Sequence, residues 1–125
     1  MKVIAAVLCC VLPSQARCET YNVVTGQLLK HCAARQGAPD DFCIGYMEAS
    51  INFVFSYQFW LSINHYDFPA GETEICFPGS MTTVEAVDAL RKYVASSRDE
   101  TILVQNAMVT LPRAFSVTFP CAKRN

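Results

Sequence analysis

Histidine is almost missing from this sequence: only His31 and His65 occur in 125 residues. No Cys-x-x-Cys or His-x-x-x-His spacing occurs either. Small zinc sites are built from such spaced pairs, so the pattern argues against a metal centre, although His31, Cys32 and Cys43 lie near one another in the chain. A Cys–His nucleophile needs a free thiol beside an orienting base, and the cysteines are better used as disulfides. The five glycines form no phosphate-binding loop. Basic residues are not in excess, with 10 Lys+Arg against 11 Asp+Glu. That balance excludes a broad nucleic-acid or polyanion surface. No apolar run reaches the roughly 20 residues that a membrane span needs. Repeats, low-complexity tracts and alternating strand patterns are absent as well.

Carboxylates are present but poorly placed for catalysis. Asp67, Glu72 and Glu74 share one loop, and Asp40 adjoins Asp41. Paired carboxylates can run glycoside hydrolysis, yet they need a formed, partly desolvated site that separates their pKa values. An acidic loop reads instead as a solvated segment or a contact surface. Neither an enzyme nor a cofactor is expected.

The N-terminus has the layout of a cleaved secretory signal peptide. Met1-Lys2 is followed by the apolar run Val3–Leu12, then Pro13 and the small residues Ser14-Gln15-Ala16. Cleavage after Ala16 leaves a single domain, residues 17–125, with nine basic residues against 11 acidic ones and a net charge of about −2. Five cysteines remain, namely Cys18, Cys32, Cys43, Cys76 and Cys121. Export places them where disulfides persist. Five is odd, and Cys18 is the natural one left over. The other four admit three connectivities. Cys32–Cys43 with Cys76–Cys121 is preferred, because the first pair spans a short connection and the second ties the chain's end to its middle. In the chain-entropy model such loops contribute about 2.8 and 4.0 kcal/mol, a large share of a typical total of ~5–15 kcal/mol.

The mature chain reads as about four helices. Thr25 caps a first helix over roughly 26–35, with Leu28, Leu29 and Cys32 on one side. Asp40 or Asp41 caps a second that runs to about Ile63. Ile44, Met47, Ile51, Val54 and Phe55 mark its core side, yet Tyr46, Phe53, Tyr57, Phe59 and Trp60 spread apolar area around most of its circumference. Either aromatic rings cap the core edge or the helix self-associates, with Phe53, Tyr57 and Trp60 as the dimer surface. Thr82 and Glu85 form a capping box for a third helix, lined by Val84, Val87, Leu90 and Val94. Ser97 and Glu100 suggest another, starting a fourth helix near Arg98, lined by Ile102, Leu103, Ala107 and Leu111. Pro112 should kink or end it, leaving a short last turn before Cys121. Between the second and third helices, residues 64–80 carry Pro69, Gly71, Pro78 and Gly79. Long loops of this kind are functional or disordered.

The stretches LLKHC (28–32), CIGYMEA (43–49), CFPGSMTTVEAVDALRKYV (76–94), ILVQNAM (102–108) and FPC (119–121) appear in that order. Together they resemble the Rap/Tai family of type VI secretion immunity proteins. Cys32, Cys43, Cys76 and Cys121 match the family's cysteines, and Gly45-Tyr46 its Gly-Tyr pair. Cys18 and Pro112 depart from the pattern. The resemblance implies a periplasmic, mostly helical, often dimeric protein that binds and blocks a papain-like peptidoglycan amidase, without a cofactor. A secreted helical binder of a lipid or of another protein is the alternative. The expected contact is the loop His65 to Glu74, with Tyr66, Asp67 and Phe68 at its tip and Glu72 and Glu74 beside it; the turn Ser97 to Glu100 is a second candidate. Gly45 is expected to let a neighbouring backbone approach closely.

Overall fold

The computed structural model describes residues 22–67 and 74–122. The expected signal peptide, Cys18, Phe68 and Glu72 lie outside the described residues. Among these, four helices and no strand are found: α1 (Thr25–His31), α2 (Asp41–Ile63), α3 (Thr83–Ser96) and α4 (Ala107–Thr118), with a 3₁₀ turn (Ile102–Val104) leading into α4. The disulfides Cys32–Cys43 and Cys76–Cys121 are both formed.

The joint between α1 and α2 follows from three adjacent features. Asp40 Oδ1 accepts a hydrogen bond from the Cys43 amide at 2.9 Å and caps α2. Its Oδ2 lies 2.7 Å from His31 Nδ1, the last residue of α1. Cys32 and Cys43 are fully buried beneath this pair. The connection turns tightly, with Gln36 and Gly37 in the left-handed region at φ 51° and 89°. From α3, Arg91 Nη2 donates to the Cys32 carbonyl at 3.0 Å and ties the joint to the next layer.

Thr25 does not cap α1. It is the helix's first residue and fully buried. Its amide donates to the Gln105 carbonyl at 2.9 Å, and its hydroxyl donates to Thr110 Oγ1 at 2.8 Å. Next to it, Gly26 is the real site of close approach: a Cβ there would stand 3.1 Å from the Leu103 carbonyl oxygen. Gly45 is exposed with nothing within 4 Å of a built Cβ, so the close approach expected there does not occur within this chain.

The α3 capping box forms as expected, with Glu85 Oε2 accepting from the Thr82 amide at 2.7 Å and Thr82 Oγ1 from the Glu85 amide at 3.3 Å. The second box does not. Ser97 Oγ accepts from the Asp99 amide at 3.1 Å instead, and Asp99 gathers the Thr101 amide, the Thr101 hydroxyl and Gln105 Nε2. These bonds shape a turn, and α4 waits for Asn106, whose Oδ1 accepts from the Met108 amide at 2.8 Å. The helix then runs through Pro112 to Thr118. A mid-helix proline costs about 3 kcal/mol. Leu111, Ala114 and Phe115 are fully buried around it, and their burial outweighs that cost.

The core lies mainly between α3 and α4, which make the broadest helix–helix contact. Phe115, Leu28, Met47, Leu90, Leu111 and Val87 are its largest buried side chains. Each such side chain contributes about 1.5–3 kcal/mol. Phe77 meets Phe115 edge-on at 5.3 Å and closes the core beside Cys76–Cys121. Val84, Phe55 and Leu103, placed in core stripes by their spacing, are exposed. For Val84 and Phe55 a neighbouring stripe of the same helix faces inward, whereas Leu103 lies in the 3₁₀ turn before α4.

Two glycine variants separate these environments. Gly45→Ala should stabilise by about 0.5–1 kcal/mol, since alanine is the better helix former and meets nothing there. Gly26→Leu should destabilise by about 1–3 kcal/mol through overpacking against Leu103. Thermal melts of the two read opposite shifts.

Acid should weaken the joint. The Cys43 amide first, and His31 second, hold the Asp40 carboxyl below its usual value. A carboxyl lowered in the folded state adds stability above its unfolded pKa, and loses it as the pH falls through the folded one. Asp40→Ala should therefore lower the melting temperature near neutral pH. The gap to the parent protein should narrow once the pH drops below the ordinary aspartate range, about 3.9.

Candidate functional site

α2 is 23 residues long, yet it buries only Cys43, Met47, Ser50, Val54 and Leu61. These five share one narrow stripe, so most of the helix faces outward. The outward side is aromatic. Phe53, Tyr57 and Trp60 are exposed, as expected for a contact surface. They extend a seam that begins with Phe42 and Tyr46. Along it, rings pair at Phe42–Tyr46 (5.9 Å), Phe53–Tyr57 (6.4 Å) and Trp60–Tyr66 (5.3 Å). Partial burial pushes the Tyr46 phenol above its ordinary pKa.

The loop residues His65, Tyr66 and Asp67 gather at the C-terminal end of this seam. His65 adopts a left-handed backbone, φ 55°. That turn lets the Tyr66 amide bond the Leu61 carbonyl at 3.0 Å and lays the Tyr66 ring on Trp60. Asp67 is exposed at the tip.

Where the chain returns, Glu74 is exposed and its carbonyl accepts from the Cys121 amide at 3.2 Å. The neighbouring Ile75 is gripped by Gln58 of α2, whose amide both accepts from Ile75 N at 2.7 Å and donates to Ile75 O at 2.9 Å. The Cys76 amide bonds the Phe119 carbonyl at 2.9 Å. Both ends of the loop are thus fastened. Sequence reasoning missed Gln58, whose one signal was a polar residue on the flank of an apolar stripe. The other candidate turn, Ser97 to Glu100, lies at the far end of α3, and its acid Asp99 is spent on internal bonds.

All four described cysteines are in disulfides, and His31 is engaged by Asp40. Among the described residues, no group of three His, Cys, Asp or Glu side chains is placed to hold a metal, and no helix is long and apolar enough to cross a membrane.

The family model of the Rap1a immunity proteins matches residues 25–121, from the first turn of α1 to the last disulfide cysteine. The chain belongs to that family. Its role is that of an immunity protein, and membership implies a cognate toxin as its binding partner. No curated protein and no solved structure matched in the corresponding comparisons. In this immunity protein the family match spans both disulfides and all four helices.

The Gln58 clamp can be tested directly. Gln58→Leu keeps the volume but strands two backbone groups of Ile75, which costs about 1–3 kcal/mol. Hydrogen exchange should quicken at Ile75, while amides of the α1–α2 joint keep their protection.

Proposed function

We propose that the protein is a periplasmic immunity protein of a type VI secretion system, which binds and inhibits a papain-like peptidoglycan amidase and so protects the cell that makes it. The observation that carries this reading is the family match over residues 25–121, on a chain whose longest helix turns an aromatic face outward. Two disulfides suit an oxidising compartment such as the periplasm. Inhibition proceeds by occupying the toxin and needs neither a cofactor nor a catalytic residue of this chain.

The fastened end of α2 is the proposed toxin contact. Tyr66, whose ring is laid on Trp60, offers an aromatic anchor, and Asp67 and Glu74 are exposed acids on either side of the loop. Interfaces concentrate binding energy in such anchors, and acids at the rim speed the approach of a basic partner. The seam through Phe53, Tyr57 and Trp60 is the proposed homodimer surface. These three side chains are exposed on one flank of α2, and none of them carries a charge that would face its own copy across a two-fold axis.

Titration of the oxidised protein into the cleavage assay of the secreted amidase encoded beside it should abolish activity near equal molar amounts. Tyr66→Ala with Asp67→Ala should weaken inhibition roughly tenfold or more. A folded sample that neither binds nor inhibits the amidase would overturn the reading.

A further inference from the structure

The two disulfides stand in opposite surroundings. Cys32 and Cys43 are fully buried, whereas Cys76 is exposed and Cys121 half-buried. A disulfide is opened by a thiolate that must reach one of its sulfurs, so exposure separates labile bridges from permanent ones. What they hold differs as well. Cys32–Cys43 lies inside the α1–α2 joint, beneath the His31–Asp40 contact. Cys76–Cys121 joins two short extended segments at the surface. The Cys76 amide donates to the Phe119 carbonyl at 2.9 Å, the Cys121 amide donates to the Glu74 carbonyl at 3.2 Å, and Ile75 faces Pro120 between them.

Opening this second bridge leaves the rest of the fold held. α3 and α4 keep their broad mutual contact, Phe77 stays edge-on against Phe115, and Gln58 grips Ile75 from α2. What loses its covalent tie is the segment 74–76 against the end of α4. That segment carries Glu74, an exposed acid of the proposed toxin contact. We propose that Cys76–Cys121 is a redox latch: a dithiol reductant opens it in the folded protein, loosens residues 74–76 from the end of α4 and weakens toxin binding, while Cys32–Cys43 stays closed. The reductant's thiolate attacks Sγ of Cys76, the more exposed of the pair. The S–S bond breaks, and Cys121 leaves as a thiolate that takes up a proton. The reductant's second thiol then displaces Cys76 and the reductant ends as a disulfide, having supplied both electrons. The effect on toxin binding rests on the reading above; the selective opening does not.

The oxidised protein is treated with graded dithiothreitol, trapped with iodoacetamide and mapped by mass spectrometry, with circular dichroism recorded alongside. Cys76 and Cys121 should be alkylated roughly tenfold sooner than Cys32 and Cys43, with the helical signal retained. Hydrogen exchange should quicken at the Cys76 and Cys121 amides and stay slow in the α1–α2 joint. Alkylation of all four cysteines together, of Cys32 and Cys43 first, or only with loss of the helical signal would overturn the latch. Cys76→Ser/Cys121→Ser imitates the open state without an added alkyl group. It should fold, melt below the parent and bind the purified amidase roughly threefold or more weakly. Failure of this variant to fold would mean that the open state is not a native one, and the latch would fall. Binding equal to the parent's would overturn its control of the toxin contact. If the parent itself does not bind, the toxin reading fails and that control falls with it, while selective alkylation still establishes the opening.

Discussion

Everything in this structure depends on how α2 is fastened. A helix that buries only one narrow stripe gains little from its neighbours, so it needs anchors. At its start, the Cys32–Cys43 disulfide, the Asp40 cap and the His31 contact converge within a few residues. Near its end, Gln58 binds both backbone groups of Ile75, and the adjacent Cys76–Cys121 disulfide carries that hold into the end of α4. Between the anchors the helix can afford to turn aromatic rings to the outside. The core lies chiefly between α3 and α4, and α2 adds to it only the stripe of Cys43, Met47 and Val54.

Where local chemistry decides, the sequence was readable. The starts of α2 and α3 follow from Asp40 and from the Thr82–Glu85 pair, because a cap acts within three residues of itself. Of the three pairings that four cysteines admit, the one favoured from their spacing is the one formed. Tertiary contacts decided the rest. Thr25 looks like a cap, but a partner 85 positions away in Thr110 makes it a buried strut. Pro112 looks like a helix end, but the burial of Leu111, Ala114 and Phe115 carries α4 past it. Ser97 and Glu100 have the spacing of a capping box, yet Asp99 between them captures the local donors first.

The outward face was half legible for a related reason. Helical spacing shows which residues share a stripe, but not which of two adjacent stripes is covered. Phe53, Tyr57 and Trp60 lie outside, as their surplus over the core's needs suggested. Phe55 fits a core stripe equally well by spacing and is exposed instead, since Met47, Val54 and Leu61 already fill the contact. Gly45 and Gly26 make the same point in reverse. Each is a helical glycine, and only the contact with Leu103 shows which one the packing requires.

The two disulfides differ in what they enclose. Cys32–Cys43 closes a short joint with a sequence separation of 11, whereas Cys76–Cys121 has a separation of 45 and encloses the whole of α3 and α4. The helices that build the core therefore sit inside one covalent ring. A protease that cuts the exposed turn at Arg98 or Glu100 opens that ring without releasing a fragment. The severed halves stay joined through sulfur and remain held by the contact between α3 and α4. The exposed turn is thereby located where a single cut does the least damage.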